Sequence, residues 1–210
     1  MTAIAELHAR DLFDSLGKED EQPEQRRPEV KTNPVIERLI IVYEGELKEA
    51  CERKSYPYWA YPKKPREEIE KIARETSFSG RDISSLCLLL QGKEDNLWFS
   101  VVTGYFLGVC STNASDSVIR LPLRHFRRKL CYVGAFNNYG KHIIVEGDVE
   151  RGLGHGMIGG QITVNGNVGE DVGHGMQDGE IYIDGDYISL SYEDIRRGKG
   201  KIFHKGRQIL

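Results

Sequence analysis

The segment that most constrains this chain lies in its last third, where two consecutive 19-residue stretches superimpose without gaps. Residues 142–160 read HIIVEGDVERGLGHGMIGG and residues 161–179 read QITVNGNVGEDVGHGMQDG, identical at nine of 19 positions. A third copy opens at Glu180 as EIYIDGDY and then diverges, and residues 200–206 resemble one more strand start after a spacing of 21. A fixed short period means units stacked in one dimension. A leucine-rich repeat needs regular leucines, and Leu153 is the only one before the third copy. A parallel β-helix needs short alternating strands between glycine corners, and each copy has them. Ile143/Val145, Ile162/Val164 and Ile181/Ile183 point one way, while Ile144, Thr163 and Tyr182 point the other. The first set is expected to form an inward column of branched side chains.

Glycine placement sharpens this reading: 16 of the 23 glycines lie between Gly140 and Gly206. Gly147, Gly166 and Gly185 recur at one corner, where a positive φ or a close backbone approach is expected. Gly154/Gly156 and Gly173/Gly175 build a second corner, with Met157 and Met176 turning inward as unbranched fillers. Parallel crossovers are right-handed in nearly all cases. Gly152, Gly154 and Gly156 imitate a dinucleotide fingerprint, but no amphipathic helix follows and Gly159-Gly160 leads into a strand.

The repeated pattern Gly-x-Gly-Met-x-x-Gly-x-Ile-x-Val-x-Gly stands as Gly154, Gly156, Met157, Gly160, Ile162, Val164, Gly166. It recurs as Gly173, Gly175, Met176, Gly179, Ile181, Ile183, Gly185. These residues resemble the GxGxG-type β-helix domain found at the C-terminus of the glutamate synthase large subunit and in one of the subunits of formylmethanofuran dehydrogenases. The resemblance covers roughly residues 140–210 and does not extend to residues 1–100. It implies an architectural element that joins catalytic domains or protein chains, and it carries no catalytic residue onto this chain. The N-terminal cysteine nucleophile, flavin barrel and iron–sulfur cysteine cluster of those enzymes have no counterpart here.

Upstream, residues 1–31 mix Glu19, Asp20, Glu21, Glu24 and Glu29 with prolines and arginines, and read as a charged, partly disordered leader. Ile4, Leu7, Leu12, Phe13 and Leu16 are consistent with one short amphipathic helix within it. Residues 32–96 read as a helical region. Asn33 and Pro34 start a helix over 33–54 whose apolar face is Ile36, Leu39, Ile40, Tyr43, Leu47, Ala50 and Cys51, with Glu44 and Lys48 as an i,i+4 pair. The aromatic cluster at 56–62 is expected to plug the core, and a second helix to run over 65–76 with Ile69, Ile72 and Ala73 inward. Residues 97–139 read as a β lead-in capping the solenoid: a long strand over 98–110 bent near Gly104 or Gly108, then strands over 118–123 and 130–136. Residues 189–198 are expected to cap the other end, with the repeat register breaking after Tyr187.

His155 and His174 lie one period apart and are expected to stack about 5 Å apart as a surface ladder. One further period leads to Glu193, and two imidazoles with a carboxylate make a weak divalent-metal candidate, since Tyr192 and Asp194 replace the flanking glycines. Two basic runs, at 120–129 and 196–207, point to docking on an acidic surface or to a solvated face, with nucleic acid disfavoured because only Phe126 and Phe203 interleave. The four cysteines form no CxxC, so zinc and iron–sulfur readings lack support and reduced thiols in a cytoplasm fit best. The longest apolar stretch, 97–110, is too short to cross a bilayer, and the start of the chain has no secretory pattern. No Ser-His-Asp, HExxH or GxSxG arrangement occurs, so no catalytic residue and no cofactor are expected.

The expectation is therefore an α+β chain, with a helical and β N-terminal region followed by a short right-handed parallel β-helix of three to four coils (residues 140–210). Its expected role is a non-catalytic scaffold that homo-oligomerises or docks a protein partner. A small enzyme or ligand binder with its site where the N-terminal region meets the β-helix, and an anion or nucleic-acid binder using the basic runs, are the alternatives.

Overall fold

A computed structural model describes residues 33–53, 63–192 and 197–210. The leader helix and the aromatic cluster at 56–62 lie outside the described residues. Helix α1 spans Pro34–Arg53. The Asn33 side-chain oxygen accepts the N–H groups of Val35 (3.1 Å) and Ile36 (2.9 Å), which satisfies two donors that a helix start leaves unpaired. Leu39, Tyr43, Leu47 and Ala50 face the core, whereas Cys51 is exposed. Glu44 pairs with Lys93 across the fold rather than with Lys48, which pairs with Glu52.

Helix α2 covers Lys63–Glu75 with Ile69 and Ile72 buried. Helix α3 covers Gly80–Leu90, opened by a capping box in which Ser79 and Asp82 satisfy each other's backbone N–H. The apolar run at residues 86–90 is the end of this helix. Helix α4 covers Phe99–Asn113 and replaces the expected strand over 98–110. Val102, Tyr105, Phe106, Leu107, Val109 and Cys110 are all buried, so the helix is apolar around its whole circumference. Gly104 and Gly108 are not strand bends. They form the flat stripe on which α4 meets backbone, since a Cβ at Gly104 would lie 1.7 Å from the Cys131 carbonyl oxygen and one at Gly108 2.8 Å from that of Ala135.

Strands β1 (Val118–Pro122), β3 (His142–Glu146), β5 (Ile158–Val164), β7 (Asp178–Ile183) and β8 (Lys201–His204) pair in parallel in that order, and β9 (Arg207–Gln208) closes the sheet antiparallel to β8. A second parallel sheet holds β2 (Leu130–Cys131), β4 (Val149–Arg151) and β6 (Val168–Glu170). Together they make a parallel β-helix of about four turns. The registers aligning Val118, His142, Gln161, Glu180 and Lys201 give successive coils of 24, 19, 19 and 21 residues. The solenoid thus begins at Val118, not at residue 140, and the expected strand over 130–136 shrinks to Leu130–Cys131 before a corner.

Inside, Ile119, Ile143, Ile162, Ile181 and Ile202 form an unbroken column of fully buried isoleucines. Each such burial contributes about 1.5–3 kcal/mol. One corner is left-handed in each of the first three coils: Tyr132, Gly152 and Asp171 share φ near 60°, as do Phe136, Gly156 and Gly175. The other corner works by close approach. A Cβ at Gly166 would fall 2.3 Å from the Gly147 carbonyl oxygen, and one at Gly185 2.3 Å from that of Gly166. The next residue in each coil then forms a ladder, with Asp148 accepting the Asn167 N–H (2.8 Å) and Asn167 accepting the Asp186 N–H (2.9 Å). The open edge at β1 is covered by helices rather than strands, with the Ser84 hydroxyl donating to the Arg120 carbonyl at 2.8 Å and the Gly80 N–H to Asp116 at 2.8 Å.

Candidate functional site

The histidine column forms, but in a different setting from the expected surface ladder. His155 and His174 stack with ring centroids 5.1 Å apart and planes 18° from parallel. His155 is buried, with Tyr132, Tyr105 and Phe136 edge-on to it at 5.4, 5.9 and 6.0 Å. Tyr105 belongs to α4, so the inner imidazole packs into the seam between helix and solenoid. His174 is exposed, with Nδ1 3.3 Å from the Ser191 hydroxyl. Val172 bridges to Leu190, an offset of 18 residues, which places Tyr192 rather than Glu193 in register after His174. Glu193 lies outside the described residues, and among the described residues no three His, Cys, Asp or Glu side chains gather into a metal-binding group.

A concavity forms a trough along the second sheet, where α4 meets the solenoid. Two adjoining cavities of about 780 and 420 Å³ share Cys131, Glu150 and Ile188. Leu97, in the turn before α4, and Ser100 and Val101 within α4 form one wall. The floor is flat because Gly169 stands where a Cβ would lie 1.7 Å from the Glu150 carbonyl oxygen. Leu97 and Ile188 project from the rims with 78% and 73% of their surface exposed. Isolated exposed aliphatics are ordinary; two facing one trough are not.

The trough's polar groups are mostly engaged. Lys129 pairs with Asp148 at 3.0 Å, and Lys205 with Asp186 at 2.8 Å. The Asn167 N–H, then Lys129, hold the Asp148 carboxyl below the usual carboxylate range. Lys205 does the same to Asp186. Arg151 donates to Asp171 through Nε (2.8 Å) and Nη2 (2.6 Å). Arg128 donates to the Asn96 carbonyl at 3.1 Å. Cys131 lies 3.5 Å from the Ser100 hydroxyl and 3.9 Å from Glu150, yet burial pushes its thiol up. Ser100 donates to the Lys129 carbonyl at 2.5 Å. Neither residue is set up as an activated nucleophile.

Five residues of the basic runs are ion-paired within the chain, Lys129 and Lys205 as above. Arg120 pairs with Glu146, Arg127 with the buried Glu94, and Lys201 with Glu180. Leu97, Glu150, Gly169 and Ile188 escaped the sequence reading, because each is unremarkable until the coils stack. The available signal was the outward register position of Ile188, one coil beyond Gly169. Among the described residues no helix is long and apolar enough to cross a membrane. Comparisons with protein-family models, curated proteins and solved structures gave no match.

Proposed function

We propose that this chain is a non-catalytic assembly module whose docking surface is the trough between α4 and the second sheet. The observation that carries this reading is the pair of large aliphatic side chains, Leu97 and Ile188, both exposed and both lining the one trough. A desolvated aliphatic anchor inside a polar rim is how protein interfaces concentrate their affinity. The resemblance of the Gly-x-Gly-Met repeat to the glutamate synthase type of β-helix supports a role beside redox enzymes, in a cytoplasm that keeps the thiols reduced. The test is recovery of the tagged full chain from its native source, as wild type and as Leu97→Asp and Ile188→Asp. A stoichiometric protein partner retained by the wild type and lost by both variants is the expected result. Recovery of the bare chain at every salt concentration overturns the reading.

A small-molecule site at the same junction is the second reading, favoured by a trough volume of about 780 Å³, which lies within the ordinary range for ligand pockets. Its mark would be a metabolite that raises the melting temperature of the wild type and not of Glu150→Gln. Binding of anions or nucleic acid by the basic runs has less support, since Arg120, Arg127, Lys129, Lys201 and Lys205 are already ion-paired.

A further inference from the structure

The two sheets of the solenoid end unevenly. The first continues past β7 through β8 and β9, whereas the second stops at residues 187–190, which follow β6 through the parallel bridges Val168–Tyr187 and Val172–Leu190. Within the second sheet one device holds each coil to the next. The Val149 N–H donates to the Asn167 carbonyl (2.9 Å), and the Val168 N–H to the Asp186 carbonyl (2.8 Å), while the Val168 carbonyl accepts the Ile188 N–H (3.1 Å). Tyr187 is next in that series, one coil beyond Val168. The Val172 N–H likewise donates to the Ser189 carbonyl (3.2 Å), its carbonyl accepts the Ser191 N–H (2.9 Å), and Leu190 is its successor. Among the described residues no hydrogen bond reaches the backbone N–H or C=O of Tyr187 or of Leu190. At the same end of the first sheet the edge is closed: β9 pairs with β8, and Ile202 bonds to Ile209 and Leu210. Backbone donors and acceptors left open at the end of a ladder are a template for one more strand.

We propose that an extended segment of another protein adds to this edge as the next strand of the second sheet. The open groups are main-chain donor–acceptor pairs, so the ligand that complements them is a polypeptide backbone. The step between the two sheets requires a slender one. In the first sheet β8 and β9 stand two strand levels beyond this edge, or about 10 Å. A two-fold axis that paired the edge antiparallel with its own copy would drive those strands into the partner's last coil, so isologous pairing is blocked. A single extended chain fits in the step beside β8. Its carbonyl accepts the Tyr187 N–H, its N–H donates to the Tyr187 carbonyl, and Leu190 repeats the exchange. Tyr187 and His204 meet edge-on at 5.1 Å and close the core beneath, so the segment has no cavity to fill. Parallel strands stack side chains at equal register, which sets one residue of the segment over the exposed Ile188. An aliphatic residue is favoured there. The edge lies at the end of the sheet and acts through main-chain atoms, so the inference stands apart from the trough.

The experiment selects short random peptides by display on the immobilised full chain, then follows amide exchange of the full chain by NMR with the tightest peptide, made synthetically. Without peptide, the Tyr187 and Leu190 amides should exchange fast, and those of Val168 and Ile188, already bonded, slowly. Peptide should slow Tyr187 and Leu190 and leave Val168 and Ile188 as they were. Single N-methylation along the peptide should weaken binding about tenfold at the nitrogens that donate to the edge, and leave it unchanged at the others. Failure to enrich any peptide overturns the inference, and so does a peptide indifferent to N-methylation at every position. Slow exchange of Tyr187 and Leu190 in the peptide-free chain overturns it too, as does a dimer of the chain that protects those two amides. A peptide that instead protects residues 97–101 and 149–151 removes the edge and leaves the trough reading standing.

Discussion

Gly166→Ala tests the stacking of coils, because the requirement at Gly166 is space rather than backbone conformation. An added Cβ would lie 2.3 Å from the Gly147 carbonyl oxygen and 2.5 Å from its carbon. Ordinary contact begins near 3.4 Å, so one coil must retreat by about 1 Å. Both clashing atoms are main-chain, and no rotamer change relieves them. Overpacking of this kind costs about 1–3 kcal/mol. The retreat also stretches the Asn167 N–H bond to the Asp148 carboxylate (2.8 Å) and the Val149 N–H bond to the Asn167 carbonyl (2.9 Å), adding about 1–2 kcal/mol. The total is roughly 2–5 kcal/mol, which lowers Tm by about 10 °C for a chain of this size. Urea unfolding followed by far-ultraviolet circular dichroism measures it. Gly45→Ala is the matched control: Gly45 sits in α1 with nothing within 4 Å of a Cβ. There alanine should stabilise by about 0.5–1 kcal/mol. A Gly166→Ala loss under about 1 kcal/mol, or a Gly45→Ala loss of similar size, would refute the close-approach reasoning.

Three further outcomes are expected. Gly104→Ala should cost more than Gly166→Ala, because its Cβ would meet the Cys131 carbonyl at 1.7 Å and keep α4 from seating; loss of near-ultraviolet circular dichroism with retained far-ultraviolet signal is the readout. Asn33→Ala removes two N-cap bonds and should cost about 1–2 kcal/mol in urea unfolding. Asp148 has a folded-state pKa below its ordinary 3.8, so its contribution is complete above that value and is lost as pH falls through the lower, folded value; the urea midpoint of Asp148→Asn should therefore fall less steeply than wild type under acid.

The β-helix was legible from sequence where one side chain repeats one physical demand. Ile143, Ile162 and Ile181 alternate with outward polar residues, and their spacing is the coil. The first coil was not legible, because Tyr132 and Phe136 occupy left-handed positions that Gly152 and Gly156 fill in the next coil. Helix α4 was misread for a different reason. Buried along nearly its whole length, it has no charged face to reveal a 3.6-residue period, and Val101, Val102, Thr103 and Val109 imitate a strand. The histidine stack followed from the period, but its burial depends on Tyr105 of that misread helix. The trough depends on the same packing, since Leu97 and Ile188 line one cavity only once α4 is seated on the first coil.

Hydrogen exchange read by mass spectrometry tests the docking surface most directly, comparing the dilute chain with its assembled form. Protection gained on assembly is expected at residues 97–101, 128–132, 149–151, 167–170 and 186–188, which line the trough. Protection confined to the outer face of the first sheet, around Ile144, Thr163, Tyr182 and Phe203, would contradict the trough as the docking surface.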